Sequence, residues 1–216
     1  MGWLLLWLIG SVAMAAPEQG CIRIVNAVGH GEGPLRVMVN GQPLCKDGYV
    51  TGDVTGRIVL PAGKHQLRFE RAGLAVGSAR VSLVSGQSLI VIPYVEAIAG
   101  WLGNGPQYRL RVLRMASEDV GERKCVTLLS VAGEELLPLR IRDLDRGWVA
   151  QPLPRLEPKQ MEITQLRGYL PMLLGRRKMA STPIGSAGNH IVVFYDPGDG
   201  KVASLEFKDH QVREVE

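Results

Sequence analysis

The chain has 216 residues, with 25 Lys or Arg against 21 Asp or Glu and a formal net charge of +4 with neutral histidines. So slight a basic excess, with aromatics at only 6%, excludes the dense basic stripe and stacking rings of a nucleic-acid binder. Setting aside an N-terminal segment leaves about 200 residues, enough for two domains of ordinary size.

Residues 1–16 carry no charged side chain, and an apolar run at 3–9 is closed by Ala13, Ala15 and Ala16. That is the pattern of a signal peptide cut after Ala15 or Ala16. No Lys or Arg precedes the run, so the amino terminus alone must supply the positive end. The run is shorter than the roughly twenty residues of a spanning helix, so no stable membrane span is expected after cleavage. An uncleaved anchor is the alternative. Glu18-Gln19-Gly20 is too polar for a lipid-attachment box before Cys21. The expected location is the periplasm.

From Cys21 onward the apolar period is two, the period of strands. Cys21-Ile22-Arg23-Ile24-Val25 and Leu35-Arg36-Val37-Met38-Val39 read as a hairpin around a Gly-rich connection at 29–33, and Asn40-Gly41 turns the chain. Residues 57–60, the turn Pro61-Ala62-Gly63 and residues 65–70 read as a second hairpin. Strands at 79–84, 88–95 and 108–113 complete about seven, at the spacing of an antiparallel Ig-like sandwich. A polar linker follows near Ser117-Glu118-Asp119. In the second half, strands are expected at 126–129, 139–142, 160–165, 191–195 and 202–207, with Asp196-Pro197-Gly198-Asp199-Gly200 as a hairpin turn. Residues 166–178 are expected to hold a helical turn broken at Pro171.

The two halves echo each other. At an offset of 104, Cys21 meets Cys125, Ile24 meets Leu128, Gly29 meets Gly133, and Pro34-Leu35-Arg36-Val37 falls on Pro138-Leu139-Arg140-Ile141. At an offset of 102, Gly86-Gln87-Ser88-Leu89-Ile90-Val91 falls on Gly188-Asn189-His190-Ile191-Val192-Val193. Two anchored matches point to an internal duplication. The expected fold is therefore all-β, with two tandem Ig-like β-sandwich domains after a signal peptide. The expected boundaries are signal peptide 1–16, first sandwich 17–115, linker 116–124, second sandwich 125–210 and tail 211–216.

If strands 21–28 and 35–39 form a hairpin, the residue facing Cys21 lies near position 42, three from Cys45. A Cys21–Cys45 disulfide is then geometrically reasonable, and export permits it. Cys125 is left over as a small buried core residue.

Chemistry is scarce in the sequence. There is no G-x-S-x-G elbow, H-E-x-x-H, C-x-x-C or Walker loop, and His30, His65, His190 and His210 never pair at metal-ligand spacing. Gly29-His30-Gly31-Glu32-Gly33 lacks the following helix that a phosphate cradle needs. Asp143 and Asp145 share a strand face with Arg140, Arg142 and Arg146 nearby, which reads as a solvated charged face. Asp196 and Asp199 read as turn formers. No catalytic residue, metal or cofactor is expected. Two surface features remain as candidate binding residues. Trp101 and Leu102 sit on a Gly-rich loop, where large apolar groups have few local partners. Arg176, Arg177 and Lys178 follow an apolar run and can meet the carboxylates of an anionic polymer.

The strings I-R-I-V-N-A, P-L-R-V-M-V-N-G, L-P-A-G-K-H and G-Q-S-L-I-V after a signal peptide resemble bacterial exported tandem Ig-like modules. The functional family among them is that of the periplasmic alginate O-acetylation accessory proteins. The resemblance covers about 20–115 and 124–208 and transfers no functional residue. It implies a non-catalytic adaptor that works with other envelope proteins to pass acetyl groups to an exopolysaccharide. The alternatives are a secreted or cell-surface binding module and, more remotely, a hydrolase or transferase with its site assembled between domains. The sequence pI of 9.1 suits an anionic partner, an acidic polysaccharide or a lipid headgroup surface.

Overall fold

The computed structural model describes residues 18–98, 107–143, 146–164, 168–179, 182–183 and 186–209. Every regular element among them is a β-strand, and no helix of the described residues is long and apolar enough to cross a membrane. The first half contains β1 (Gln19–Ile24), β2 (Glu32–Val39), β3 (Gln42–Pro43), β4 (Ile58–Pro61), β5 (Gly63–Ala72), β6 (Gly77–Leu83), β7 (Ser88–Ile98) and β8 (Gln107–Ala116). They form two four-stranded sheets, β4-β1-β7-β8 and β3-β2-β5-β6.

The second half contains β9 (Lys124–Ser130), β10 (Leu136–Leu137), β11 (Leu139–Asp143), β12 (Gly147–Ala150), β13 (Leu153–Pro154), β14 (Lys159–Glu162), β15 (Tyr169–Leu170), β16 (Met172–Leu174), β17 (Arg177–Lys178), β18 (Thr182–Pro183), β19 (Gly188–Tyr195) and β20 (Ala203–Asp209). Its four-stranded sheets are β14-β9-β19-β20 and β12-β11-β16-β17; β10-β13 and β15-β18 are short side ladders. With those four short strands set aside, the strand order of each sheet repeats that of the first half. The sense of pairing repeats as well. β1 runs parallel to β7, and β9 runs parallel to β19, while the other ladders in these sheets are antiparallel.

Both predicted hairpins of the first half are absent for one reason. β1 pairs with β4 and β7, whereas β2 pairs with β3 and β5. The chain thus changes sheet between β1 and β2, and again at the Pro61-Ala62-Gly63 corner between β4 and β5. The Asn40-Gly41 turn does join paired strands, β2 and β3, and its φ values of 51° and 81° are those of a two-residue primed turn. Where a helical turn is expected, residues 168–178 form short strands with a tight turn at 175–176, and residues 166 and 167 lie outside the described residues. Leu170 and Met172 both enter the second core, the period-two pattern of a strand.

The early echo holds its faces. Ile22 and Ile24 enter the core of the first sandwich, as Val126 and Leu128 enter that of the second. The late echo is corrected by one residue. Cys21 pairs with Ser88 and Cys125 with Asn189, so the structural offset there is 101 (189 minus 88), not 102. At 101, Val91 matches Val192 in the sandwich cores, and Ile90, Ile92 and Tyr94 match Ile191, Val193 and Tyr195. A slip of one residue would turn every one of these side chains to the opposite face.

A third core lies between the halves. Val25, Ala27, Ile90, Ile92 and Tyr94 pack against Leu129, Val131, Ile191, Val193, Tyr195 and Leu205. The sheets that carry β1 and β9 are therefore covered on both faces, one by their own sandwich partner and one by each other. This explains why 90–92 and 191–194 read as continuous apolar runs instead of alternating ones. The molecule stacks four layers: β3-β2-β5-β6, β4-β1-β7-β8, β14-β9-β19-β20 and β12-β11-β16-β17. Each large side chain in the junction contributes roughly 1.5–3 kcal/mol by leaving water.

At Gly29 the two halves approach closely. A Cβ there would collide with the Asp196 carbonyl oxygen and with backbone atoms of Pro197. Gly29→Ala is expected to push the β1–β2 connection off the β19–β20 turn and destabilise the fold by about 1–3 kcal/mol. Urea denaturation checks this; an unchanged midpoint would show that the two loops move apart at no cost.

Candidate functional site

The sequence-predicted residues fall in different places. Trp101 and Leu102 lie outside the described residues. Arg176 occupies the turn of the β16–β17 hairpin, and Arg177 and Lys178 form β17. Arg177 pairs with Leu174, which packs on the second core, and its Nη1 donates to the Val202 carbonyl at 3.2 Å. Lys178 pairs instead with Leu173, one residue along and hence on the outer face. The triplet is therefore split, and only Lys178 joins an outward cationic surface.

That surface is the outer face of the β12-β11-β16-β17 sheet. Arg140 and Arg142 are exposed on β11, while Ile141 between them turns to the core. Arg142 stands opposite the half-buried Trp148, and Arg140 stands between Ala150 and Leu173. Since Leu173 is paired with Lys178, a row runs across the sheet from Ala150 through Arg140 and Leu173 to Lys178. Asp143 alternates with Arg142 and so does not share its face; its Oδ1 accepts the Arg146 N–H at 2.9 Å. Among the described residues the expected mixed Asp/Arg face is thereby corrected to one of cations carrying a Trp; Asp145 lies outside the described residues. The side chains of Arg140, Arg142 and Lys178 have no ion-pair partner among the described residues. Trp and Arg are the side chains most often found as anchors of binding surfaces. Trp148 had been missed; its signal is the alternation Trp148-Val149-Ala150 directly after the turn that returns β11.

The outer face of β3-β2-β5-β6 is built alike. On β5, His65, Leu67 and Phe69 are buried, and Lys64, Gln66 and Arg68 point outward. Arg36 on β2 and Arg80 on β6 are exposed on the same face. Glu70 opposes Arg36 in register and is bound by Arg68 at 2.6 Å. A cavity of about 450 Å³ opens here, lined by Asn40, Lys64, Gln66, Arg80 and Ser82 over the His65 ring. The His65 ring is held at both nitrogens, with Asn40 Nδ2 at 3.0 Å from Nδ1 and the Pro61 carbonyl at 2.8 Å from Nε2. The offset of 104 places Arg36 on Arg140, and both point outward.

Polar side chains also seam the rim of the junction. His30 stacks on Tyr108 with ring centroids 4.0 Å apart, and its Nε2 lies 3.5 Å from Asp196 Oδ2. Asp196 Oδ1 meanwhile accepts the Gly198 N–H and Asp199 Oδ1 that of Lys201, the expected turn-forming role. Arg155 lies over the Tyr94 ring and reaches Glu96 at 3.7 Å, while Arg111 Nε donates to Glu96 at 2.7 Å. That hydrogen bond holds the Glu96 carboxyl below the usual carboxylate range. Its stabilising contribution is present above the unfolded carboxylate value and is lost as pH falls through the depressed one. Arg23 donates to the Lys208 carbonyl at 2.9 Å and lies 3.7 Å from the buried Asp209, which Ser117 Oγ also reaches. These groups act as fasteners between halves. Asn26, part of the string that carries the family resemblance, has a structural role too: it is fully buried, donates to the Tyr49 and Val50 carbonyls, and accepts the Val28 N–H.

All three thiols are free, so the Cys21–Cys45 bridge is not formed. Its premise was the β1–β2 hairpin, and those strands lie in opposite sheets. Cys125 is buried, and that burial pushes its thiol up. A thiol reagent at mildly alkaline pH is expected to label Cys21 and Cys45 in the native protein and Cys125 only after denaturation. Blocked Cys21 and Cys45 that react after reduction would restore the bridge.

No protein-family model matches the chain, and no curated protein matches it in sequence.

Proposed function

We propose that the chain is an exported, non-catalytic adaptor of the bacterial envelope, and most concretely an accessory factor in the O-acetylation of an acidic exopolysaccharide. The observation that supports this reading is the placement of chemistry. Arg36, Lys64, Arg80, Arg140, Arg142 and Lys178, none of them in an ion pair among the described residues, and Trp148 face outward on the two outermost sheets, and the interior is filled by three apolar cores. Surfaces of that kind dock; their cations meet carboxylates. The periplasmic location rests on the signal-peptide pattern of residues 1–16, and the shared strand order favours an origin of the two halves by duplication.

Deleting the gene in a host that makes an acetylated acidic exopolysaccharide tests the reading. Polymer yield should persist while its acetyl-ester content falls, and the full-length chain should restore it. Unchanged acetylation in the deletion strain would remove the accessory role.

A further inference from the structure

We propose that both outer sheets bind the same class of ligand, an extended polysaccharide bearing carboxylates and hydroxyls, so that one molecule bridges two polymer chains. The inference deepens the adaptor reading by naming a ligand and a stoichiometry for its two exposed faces.

On the first sandwich the cations form a track. Lys64 pairs with Ser82, Gln66 with Arg80, Met38 with Arg68, and Arg36 with Glu70. Each of Lys64, Arg80, Arg68 and Arg36 is thus a diagonal neighbour of the next, roughly 7–8 Å apart. The track runs about 20 Å along β5 at the strand rise. Glu70 offsets one charge through Arg68, which leaves three cations for a ligand. Lys64, Gln66, Arg80 and Ser82 have no side-chain partner among the described residues, and they border the cavity of about 450 Å³. Ammonium and guanidinium there suit carboxylates, while the amide and hydroxyl suit sugar hydroxyls.

The second sandwich presents Trp148 on its edge strand with Arg142 opposite and Arg140 diagonal to it, and Lys178 three strands away on the other edge. The indole gives a flat apolar surface for a sugar ring, flanked by donors for its carboxylate. A repeating polymer is favoured over a folded protein partner because the charges of the first face follow one line along β5, with no large exposed apolar group at its centre. The two faces occupy opposite ends of the four-layer stack, three inter-sheet spacings or about 30 Å apart. One chain of polymer cannot lie flat on both.

The test uses the full mature chain with a purified long polyuronate and with neutral dextran as control. Wild-type protein should bind the polyuronate and not dextran, and raise light scattering at intermediate ratios by cross-linking chains. Affinity should fall about tenfold or more between low and moderate salt, since bound cations release counterions. The variant Lys64→Glu/Arg80→Glu/Arg36→Glu and the variant Arg140→Glu/Arg142→Glu/Lys178→Glu should each keep binding but lose the scattering. Combining all six should abolish binding, while the circular-dichroism spectrum stays unchanged because every altered side chain is exposed. Absent polyuronate binding at low salt, equal binding to dextran, or scattering retained by either single-face variant would overturn the inference. If the polymer does not bind yet gene deletion still lowers acetylation, the faces dock protein and only this inference falls.

Discussion

Val193→Asp is expected to abolish the native fold at room temperature. Val193 is fully buried in the junction core, paired in register with Leu129 on one side and Leu205 on the other. A carboxylate there finds no cation and no water, and leaving a charge uncompensated in such a site costs several kcal/mol. Total stabilities of domains are only about 5–15 kcal/mol, and this residue touches the layer both halves share. Circular dichroism should lose its strand signal, and a hydrophobic dye should bind. Two intact sandwiches joined by a loosened linker would show instead that the junction is dispensable for folding.

Phe194→Ala, one residue further along β19, should act on a different core. Phe194 is fully buried among Val126, Leu128, Leu137 and Leu170 inside the second sandwich. Truncation removes a large ring and leaves a cavity, a loss of about 3–5 kcal/mol. Because the two inner sheets pack on each other through the third core, that loss should appear as a single shifted unfolding transition rather than as melting of the second half alone. Scanning calorimetry reads this directly. Two separated transitions would mean that the sandwiches unfold independently.

The contrast between these neighbours shows how much of the fold was legible. Alternation at Lys64-His65-Gln66-Leu67-Arg68-Phe69 is a half-buried strand that any period-two reading finds, because one face meets water. Ile191-Val192-Val193-Phe194 has no such alternation, and the reason, a second covering layer, is the β4-β1-β7-β8 sheet of the first half, about a hundred residues away along the chain. The same continuity concealed the true offset of the late echo, since an all-apolar string matches itself equally well one residue out of step. On the candidate surfaces, the cations at Arg140, Arg142 and Lys178 were visible, but their union was not. Sheet register brings Lys178 to Leu173 and Leu173 to Arg140, and it separates Lys178 from Arg177, its neighbour in sequence.

By itself the sequence determined the all-β class, the positions of the long strands, the Asn40-Gly41 and Asp196–Gly200 turns, and the matched first strands of the halves. These depend on local φ/ψ preference and on side-chain period, which act over a few residues. Only the tertiary structure decided that β1 and β2 lie in opposite sheets, and hence that Cys21 and Cys45 stay apart. It alone decided that two sandwiches share a third core, and that Arg36, Lys64 and Arg80 gather on one outermost layer and Arg140, Arg142 and Lys178 on the other. Strand pairing is chosen by burial across the whole chain, and no short window of residues records which partner wins.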